Sequence, residues 1–557
     1  MSSRVAVPRG ADPDATDVAI VGSGINALVC GALLARAGVG VAVLEQADVL
    51  GGAIRSAELT HEGFVHDVFS AWHPLFVASD AYQALGAELT RHGLRYETAH
   101  AVTAAVNDDG AIVMTRARDE TVAELERHGL GEGARFAADR QGFDAVAPWV
   151  MSLLSDEVLS TTTLRSALAA RRRLGRHGAQ SLAGSLAESA RTWLESTYRT
   201  PAPGTLFAPW VLHTGLGPDD SGSGFMNRAI AALLERVGLP LPRGGGRRLV
   251  EALVEMIRSR GGECRSGQEV VRVLAPQGRA TGVRLASGEV VQARRAVVCN
   301  VPPPALYGQL LEGVPLPGPV RREAARFRFG RSGMQVHYAL SRPPSWQGDG
   351  RLAATPVVHL SGGLDAVRRA VGEAELGLLP AEATIVCGQP CVLDPARAPE
   401  GGAVLWIQLQ ELPARPRGDA AGEMDVGDGT WTEGLRERYA DRIQRRLARH
   451  IDGFEPTIRR RVVLSPADIA ASNPNLVGGD IYSGACQLDQ LLLWRPRPGL
   501  RGHRTVVPGL YEIGASTHPG PGLGAGSGTL VARQLLRDER RLRPPGPRGL
   551  RGRRSRT

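Results

Sequence analysis

Lysine is absent from the 557-residue chain: all 66 basic residues are arginine. With 69 glycines and 37 prolines, that uniform choice reads as a coding bias rather than selection at particular sites. Aromatic residues are scarce, at 5%, and no basic–aromatic module occurs, which argues against nucleic-acid recognition. Cysteines are few and scattered: Cys30, Cys264, Cys299, Cys387, Cys391 and Cys486. Only Cys387 and Cys391 are close, as CGQPC, whereas metal spacing needs a second such pair or nearby histidines. A disulfide-built scaffold is excluded, and small apolar packing is the expected role of the thiols. No G-x-S-x-G elbow and no histidine-rich metal cluster occurs. No run approaches the roughly 18 apolar residues of a membrane span. The stretch MSSRVAVPRGADPDAT has no apolar signal core, so cytoplasmic residence is expected, with peripheral membrane contact left open.

What is present begins with size and charge. Hydrophobic residues make up 43% of the chain, enough for a sizeable core and against general disorder. The net charge of +9 is unevenly placed. Residues 537–557 hold nine arginines against Asp538 and Glu539, a net +7, leaving +2 for the rest. The body is therefore nearly neutral, and 537–557 is expected to be a basic disordered tail, dispensable for cofactor binding.

Residues 17–21 read DVAIV, a short buried strand. Gly22-Ser23-Gly24-Ile25-Asn26-Ala27 follows, then an apolar helix to Gly38, then a second strand at 39–44 ending at Glu45. Strand, glycine turn, helix, strand and acid stand in the order of a βαβ dinucleotide unit. Gly22 permits the tight turn, and Gly24 lets a pyrophosphate approach the helix start. Ala27 is small enough for close helix–strand contact. Glu45, 21 residues beyond Gly24, can accept ribose hydroxyls. Gly51 and Gly52 come six residues later and open the chain around the pyrophosphate a second time, which favours FAD over NAD.

With these residues the sequence resembles the flavin-dependent amine oxidase and phytoene desaturase superfamily. Within it, the chain looks most like the phytoene desaturase-related oxidoreductases, which include the pyridine nucleotide-disulfide oxidoreductase domain-containing protein 2 group. The matching stretches are GSGINALVCGALLARAG, VAVLE, LGGAIRS, GFVHDVFSAWHPLF and PRGGG. TGVRLASGEVVQARRAVVCNVPP also matches, as does the terminal run from Asn473 to Leu536 with GLYEIGASTHPGPGLGAGSG. Many superfamily members have Gly-Gly-Arg where this chain has Gly51-Gly52-Ala53, and Arg55 is assigned the phosphate contact instead.

The resemblance implies an α/β fold: a Rossmann-like FAD-binding domain of the glutathione reductase/amine oxidase type with an inserted α+β substrate-binding domain. FAD-binding sequence is expected at 15–78, 242–310 and 505–536, and substrate-binding sequence at 79–241 and 311–504. Val270 is expected beside adenine. Gly514, Ala515, Gly524, Gly526 and Ser527 are expected to close the FAD site. The implied activity is hydride removal by flavin from an organic, largely apolar substrate, isoprenoid or carotenoid-like or a secondary metabolite. A saturase, reductase or isomerase, and an FAD-containing structural protein, are the alternatives. With no second GxGxxG for NADPH, the electron partner is expected to be oxygen, a quinone or another acceptor. Oligomeric state is not indicated.

His73, in SAWHP, and His518, in the closing loop, are the candidates for general acid or base. Asp67 is expected to serve as a helix cap or in a local turn, with orientation of His66 or His73 as the alternative. His337 and Tyr338 in QVHYAL have an even chance of facing the substrate. Leu182, Leu186 and Trp193 are expected in core packing, with a channel-lining role as the alternative.

Overall fold

A computed structural model describes residues 15–496 and 503–542. The expected tail falls largely outside these residues. Its start does not: the last helix runs Gly526–Leu542, so it continues past residue 536.

Two sheets organise the chain. The first has a parallel core in the order Glu263–Arg265, Val41–Leu44, Thr16–Val21, Val290–Cys299 and Leu510–Glu512. The near half of Val290–Cys299 also pairs antiparallel with Gly282–Leu285, which pairs with Val270–Leu274. Strands buried on both faces should read as unbroken apolar runs, and AIV and VAVL do so. The helix Ile25–Arg36 starts behind Gly24 and ends at Ala37, with Gly38 at φ +81° supplying the left-handed exit. Nearly all of it is buried because it runs between the sheet and two further helices, Arg247–Arg258 and Gly526–Leu542. Leu28, Leu34, Leu253 and Ile257 share this core, each contributing about 1.5–3 kcal/mol by burial.

The second sheet runs Ile458–Leu464, Ser332–Leu340, Ala403–Leu412, Ile385–Gly388, Val357–Leu360, Ala101–Asn107 and Gly110–Thr115. Its pairs are antiparallel except Val357–Leu360 with Ala101–Asn107. Side-chain alternation divides its two faces. Leu405, Ile407 and Leu409 pack with Leu435, Tyr439 and Ile443 of the helix Glu433–Ala448. Trp406, Gln408 and Gln410 point the other way, into the cavity described below. Helices between residues 118 and 237 cover the rest of that side.

A buried charge cluster ties the two halves. Arg397 bonds Asp67, Asp394 at 3.2 Å and the Pro242 carbonyl at 2.7 Å. Asp67 also accepts from Ser56 Oγ at 2.6 Å and from Gly246 N at 2.8 Å. Three chain segments distant in sequence meet on one guanidinium.

Candidate active site

A cavity of about 720 Å³ runs from the first glycine turn to the second sheet, within the range of small-molecule sites. One end is made of backbone. Gly22, Gly24, Gly51, Gly52, Gly514, Ala515 and Gly524 line it, with Glu45, Arg55 and Val270 beside them. A Cβ at Gly24 would stand 2.7 Å from Asn300 Nδ2, and one at Gly514 would stand 2.6 Å from Asn300 Oδ1. Gly52, at φ +60°, brings its chain so near that a Cβ would lie 3.0 Å from the Gly24 Cα. Side chains are excluded where these turns converge, leaving peptide groups and a helix start free to meet an anion.

Glu45 sits at the end of its strand. Its Oε2 accepts from Ser23 N at 2.8 Å and Ser23 Oγ at 2.7 Å, and its Oε1 from Ala47 N at 3.0 Å. Oε1 retains a lone pair for a ribose hydroxyl. Arg55 is anchored by its Nε on the Gly52 carbonyl at 2.9 Å. A side-chain-free cradle for a pyrophosphate, with a fixed carboxylate for a ribose, fits FAD.

Three expected cofactor residues stand behind the wall rather than on it. Ala27 is fully buried in the core of the first helix. Gly526 and Ser527 begin the last helix; Ser527 Oγ accepts from Gly514 N at 2.9 Å and donates to Asn26 Oδ1 at 2.8 Å. Their geometry holds Gly514 in place from outside.

The other end of the cavity is aromatic and apolar. Trp72, Trp210, Trp406, Val357, Val386 and Leu239 line it, with a narrow polar strip of His213, Gln408, Gln410 and Tyr482. Trp72 meets Trp406 edge to face at 5.6 Å, and Trp210 lies 4.5 Å from the His213 ring. His213 caps the helix Ala202–Leu212, which delivers it with Trp210 to the cavity. Its Nε2 is 3.0 Å from His359 Nε2, and its Nδ1 is 3.4 Å from Gln410 Nε2. Gln410 Nε2 also donates to the Tyr482 hydroxyl at 2.9 Å, which donates to the Leu212 carbonyl at 2.6 Å. Burial pushes the His213 imidazole down to about 3, and His359 well below its ordinary value. Both rings are therefore neutral near pH 7, with one proton between facing Nε2 atoms.

The two histidines expected to do acid–base work lie elsewhere. His73 is fully enclosed, its Nδ1 2.9 Å from the Tyr96 hydroxyl, beside Asp67 and Arg397. His518 holds the Asp156 carbonyl through Nε2 at 3.0 Å. Burial lowers each to about 4, and neither ring reaches the cavity wall. Asp67 is spent on Arg397, Ser56 and Gly246, and His66 bonds Thr60 at 2.7 Å instead. His337 is bound to the Val68 carbonyl at 3.2 Å, and Tyr338 packs in the opposite core. Trp193 is buried against Phe207 and Tyr198, with Arg228 over its ring. Cys387 lies within a strand, and Cys391 accepts from Val404 N at 3.3 Å.

Sequence reasoning missed His213, Gln408 and Gln410. For the glutamines a signal existed: AVLWIQLQEL places two amides on one face of a strand buried throughout. Buried amides need partners, so that face had to meet a polar site.

Residues 28–408 match the family model described as flavin containing amine oxidoreductase. The chain is 26% identical over 558 residues to pyridine nucleotide-disulfide oxidoreductase domain-containing protein 2 of Mus musculus, covering 94% of this chain and 93% of that one. It is 25% identical over 537 residues to hydroxyneurosporene desaturase of Cereibacter sphaeroides, covering 94% of this chain and 97% of that one. The fold is shared with cyclohexylamine oxidase of Brevibacterium oxydans, at 14% identity and a TM-score of 0.55, over 94% of this chain and all of the other. The glycine cradle, its fixed glutamate and a family match over more than half of the sequence converge: the chain belongs to the flavin containing amine oxidoreductase family and is an FAD-dependent oxidoreductase.

Proposed function

We propose that the protein is a dehydrogenase of desaturase type, removing hydrogen from a largely apolar, unsaturated organic substrate. The observation that carries this reading is the composition of the cavity's far end, where three tryptophans and aliphatic side chains enclose a single polar strip. The likeness to hydroxyneurosporene desaturase, named for a desaturation, supports it.

The glycine turns, Glu45 and Arg55 would hold FAD, which when bound supplies the acceptor for hydride. The chain's own residues do the rest. Trp72, Trp210 and Trp406 bind an apolar chain and exclude water. Their faces also favour the positive charge that hydride loss leaves on an allylic carbon. His213 takes the proton. With its Nε2–H donated to His359, the Nδ1 lone pair accepts only the long 3.4 Å contact from Gln410 Nε2, which gives way when the proton arrives. A weak base is sufficient, because a C–H next to a carbocation is strongly acidic. The electron pair of that C–H bond becomes the new double bond.

The test is anaerobic mixing of the flavoprotein with terpenes, carotenoid precursors and, as contrast, aliphatic amines. Stable flavin bleaching with a hydrocarbon and a product lighter by two hydrogens supports the reading. Bleaching by amines alone overturns it, and rearranged product without bleaching would mark an isomerase.

A further inference from the structure

The helix Thr161–Ala187 differs from the rest of the surface. Its 27 residues include no acid, and they carry Arg165, Arg171, Arg172, Arg173 and Arg176. All five arginines are exposed, and among the described residues none of them makes an ion pair. A coding bias for arginine does not account for this. On the helix Glu433–Ala448, also rich in arginine, Arg436 pairs with Asp468 at 3.0 Å and Arg442 with Asp419 at 2.6 Å.

Leucines share the exposed face. Ser160 starts the helix by accepting from Thr163 N at 3.1 Å. The segment then runs to a break at Gly175, where φ is +70°. Along it Thr163 and Ala170 are buried, which sets the inward face. Leu164 and Leu168, one turn apart, lie away from that face at 53% and 52% exposure, and Leu159 just before the helix is 68% exposed. Arg165, Arg171 and Arg172 fall on the same side by helical spacing. Guanidinium groups beside outward leucines suit the boundary between anionic headgroups and acyl chains. A nucleic acid would use the charge and leave the leucines in water.

The position is informative. Leu174, Leu182 and Leu186 pack with Phe225, Met226 and Ala229 of the helix Ser223–Val237. Ile230, Leu233 and Leu234 of that same helix line the cavity. The arginine-rich helix therefore lies directly behind a wall of the aromatic chamber.

We infer that the outer face of residues 159–176 docks on an anionic lipid bilayer and seats the helical wall of the cavity against it. This stands apart from the identity of the substrate. No described helix is long and apolar enough to cross a membrane, so the contact is peripheral.

The test uses the full-length flavoprotein in sedimentation with mixed phosphatidylcholine/phosphatidylglycerol vesicles and with phosphatidylcholine alone. Binding is expected to the mixed vesicles, and to weaken with salt. R165E/R171E/R172E is expected to weaken it by about a hundredfold or more. L164S/L168S is expected to weaken it by about tenfold. Both variants should keep the visible flavin spectrum, which separates lost docking from lost fold. Replacing Arg548, Arg551, Arg553, Arg554 and Arg556 with glutamine should leave binding in place. The inference is overturned if the wild-type chain ignores mixed vesicles, or if the arginine or the leucine variant binds like wild type. It is also overturned if duplex DNA binds more tightly than the vesicles, or if the C-terminal glutamine variant alone abolishes binding.

Discussion

His213 owes its chemistry to what surrounds it. An imidazole in water is half protonated near pH 6.5; here burial pushes it down to about 3, so the ring stays neutral and keeps a lone pair. The Gln410 amide nitrogen facing Nδ1 leaves the proton of the neutral ring on Nε2, toward His359. H213N is expected to retain FAD and its visible spectrum while lowering turnover by about a hundredfold or more. Steady-state kinetics check this, with the loss in kcat rather than KM. H73N and H518N, whose rings are packed away from the cavity, should lower the melting temperature and leave turnover unchanged. Equal loss of turnover in all three variants would remove His213 from its assigned role. A second residue-scale prediction concerns Glu45. E45Q keeps the volume but sets an amide against the donors Ser23 N, Ser23 Oγ and Ala47 N. Retention of FAD on dialysis should fall by about tenfold, the scale of one charge-assisted hydrogen bond.

Elements meet at Arg397. Its guanidinium joins the hairpin strand His66–Asp67, the short strand Leu241–Pro242 and the turn Pro395–Arg397, with Arg397, Asp67 and Asp394 all nearly inaccessible. Removing one member of a buried pair leaves an uncompensated charge, which costs about 3–5 kcal/mol. R397M should destabilise the fold by that much in urea unfolding, and R397M/D67N by distinctly less. Equal costs for single and double variants would mean that the guanidinium and Asp67 are not coupled. The same cluster marks the limit of what the sequence discloses. The βαβ unit was legible because its signals are local: an apolar strand, Gly22 and Gly24, a helix and Glu45 within 30 residues. Arg397 and Asp67 are 330 residues apart, and nothing local in either joins them. His213 and His359 are 146 apart, and their pairing is likewise a product of the tertiary fold. His73 looked functional because it follows the cofactor stretch, yet its ring turns into the Tyr96 cluster, a choice of rotamer that spacing does not encode. Gln408 and Gln410 were the legible exception, since period-two alternation alone assigns them to one face.

At the scale of the molecule, buried histidines make the fold acid-sensitive well above the carboxylate range. Burial lowers His66 to about 2, His213 to about 3, and His73, His337 and His518 to about 4. In the unfolded chain the same rings take up a proton near pH 6.5. Below that pH the unfolded state binds more protons than the native one, so stability falls as pH falls, by up to about 1.4 kcal/mol per pH unit for each ring. The loss begins near pH 6.5 and continues until each ring's folded value is reached. Carboxylates paired with arginine, such as Asp219 and Asp349, are also held below their ordinary range, and their contribution is lost only nearer pH 4. Between about pH 6.5 and pH 4.5 the histidines therefore outnumber the groups that oppose them, Glu411 and Asp480, whose carboxyls burial pushes up. The melting temperature of the flavoprotein should drop continuously across that window. H518Q, which removes one titrating ring that does not line the cavity, should lower the midpoint at pH 7 and make the pH dependence shallower. A melting temperature that stayed flat across this window would mean that the native protein admits protons to these rings, and hence water to the cluster around Asp67 and to the floor of the cavity.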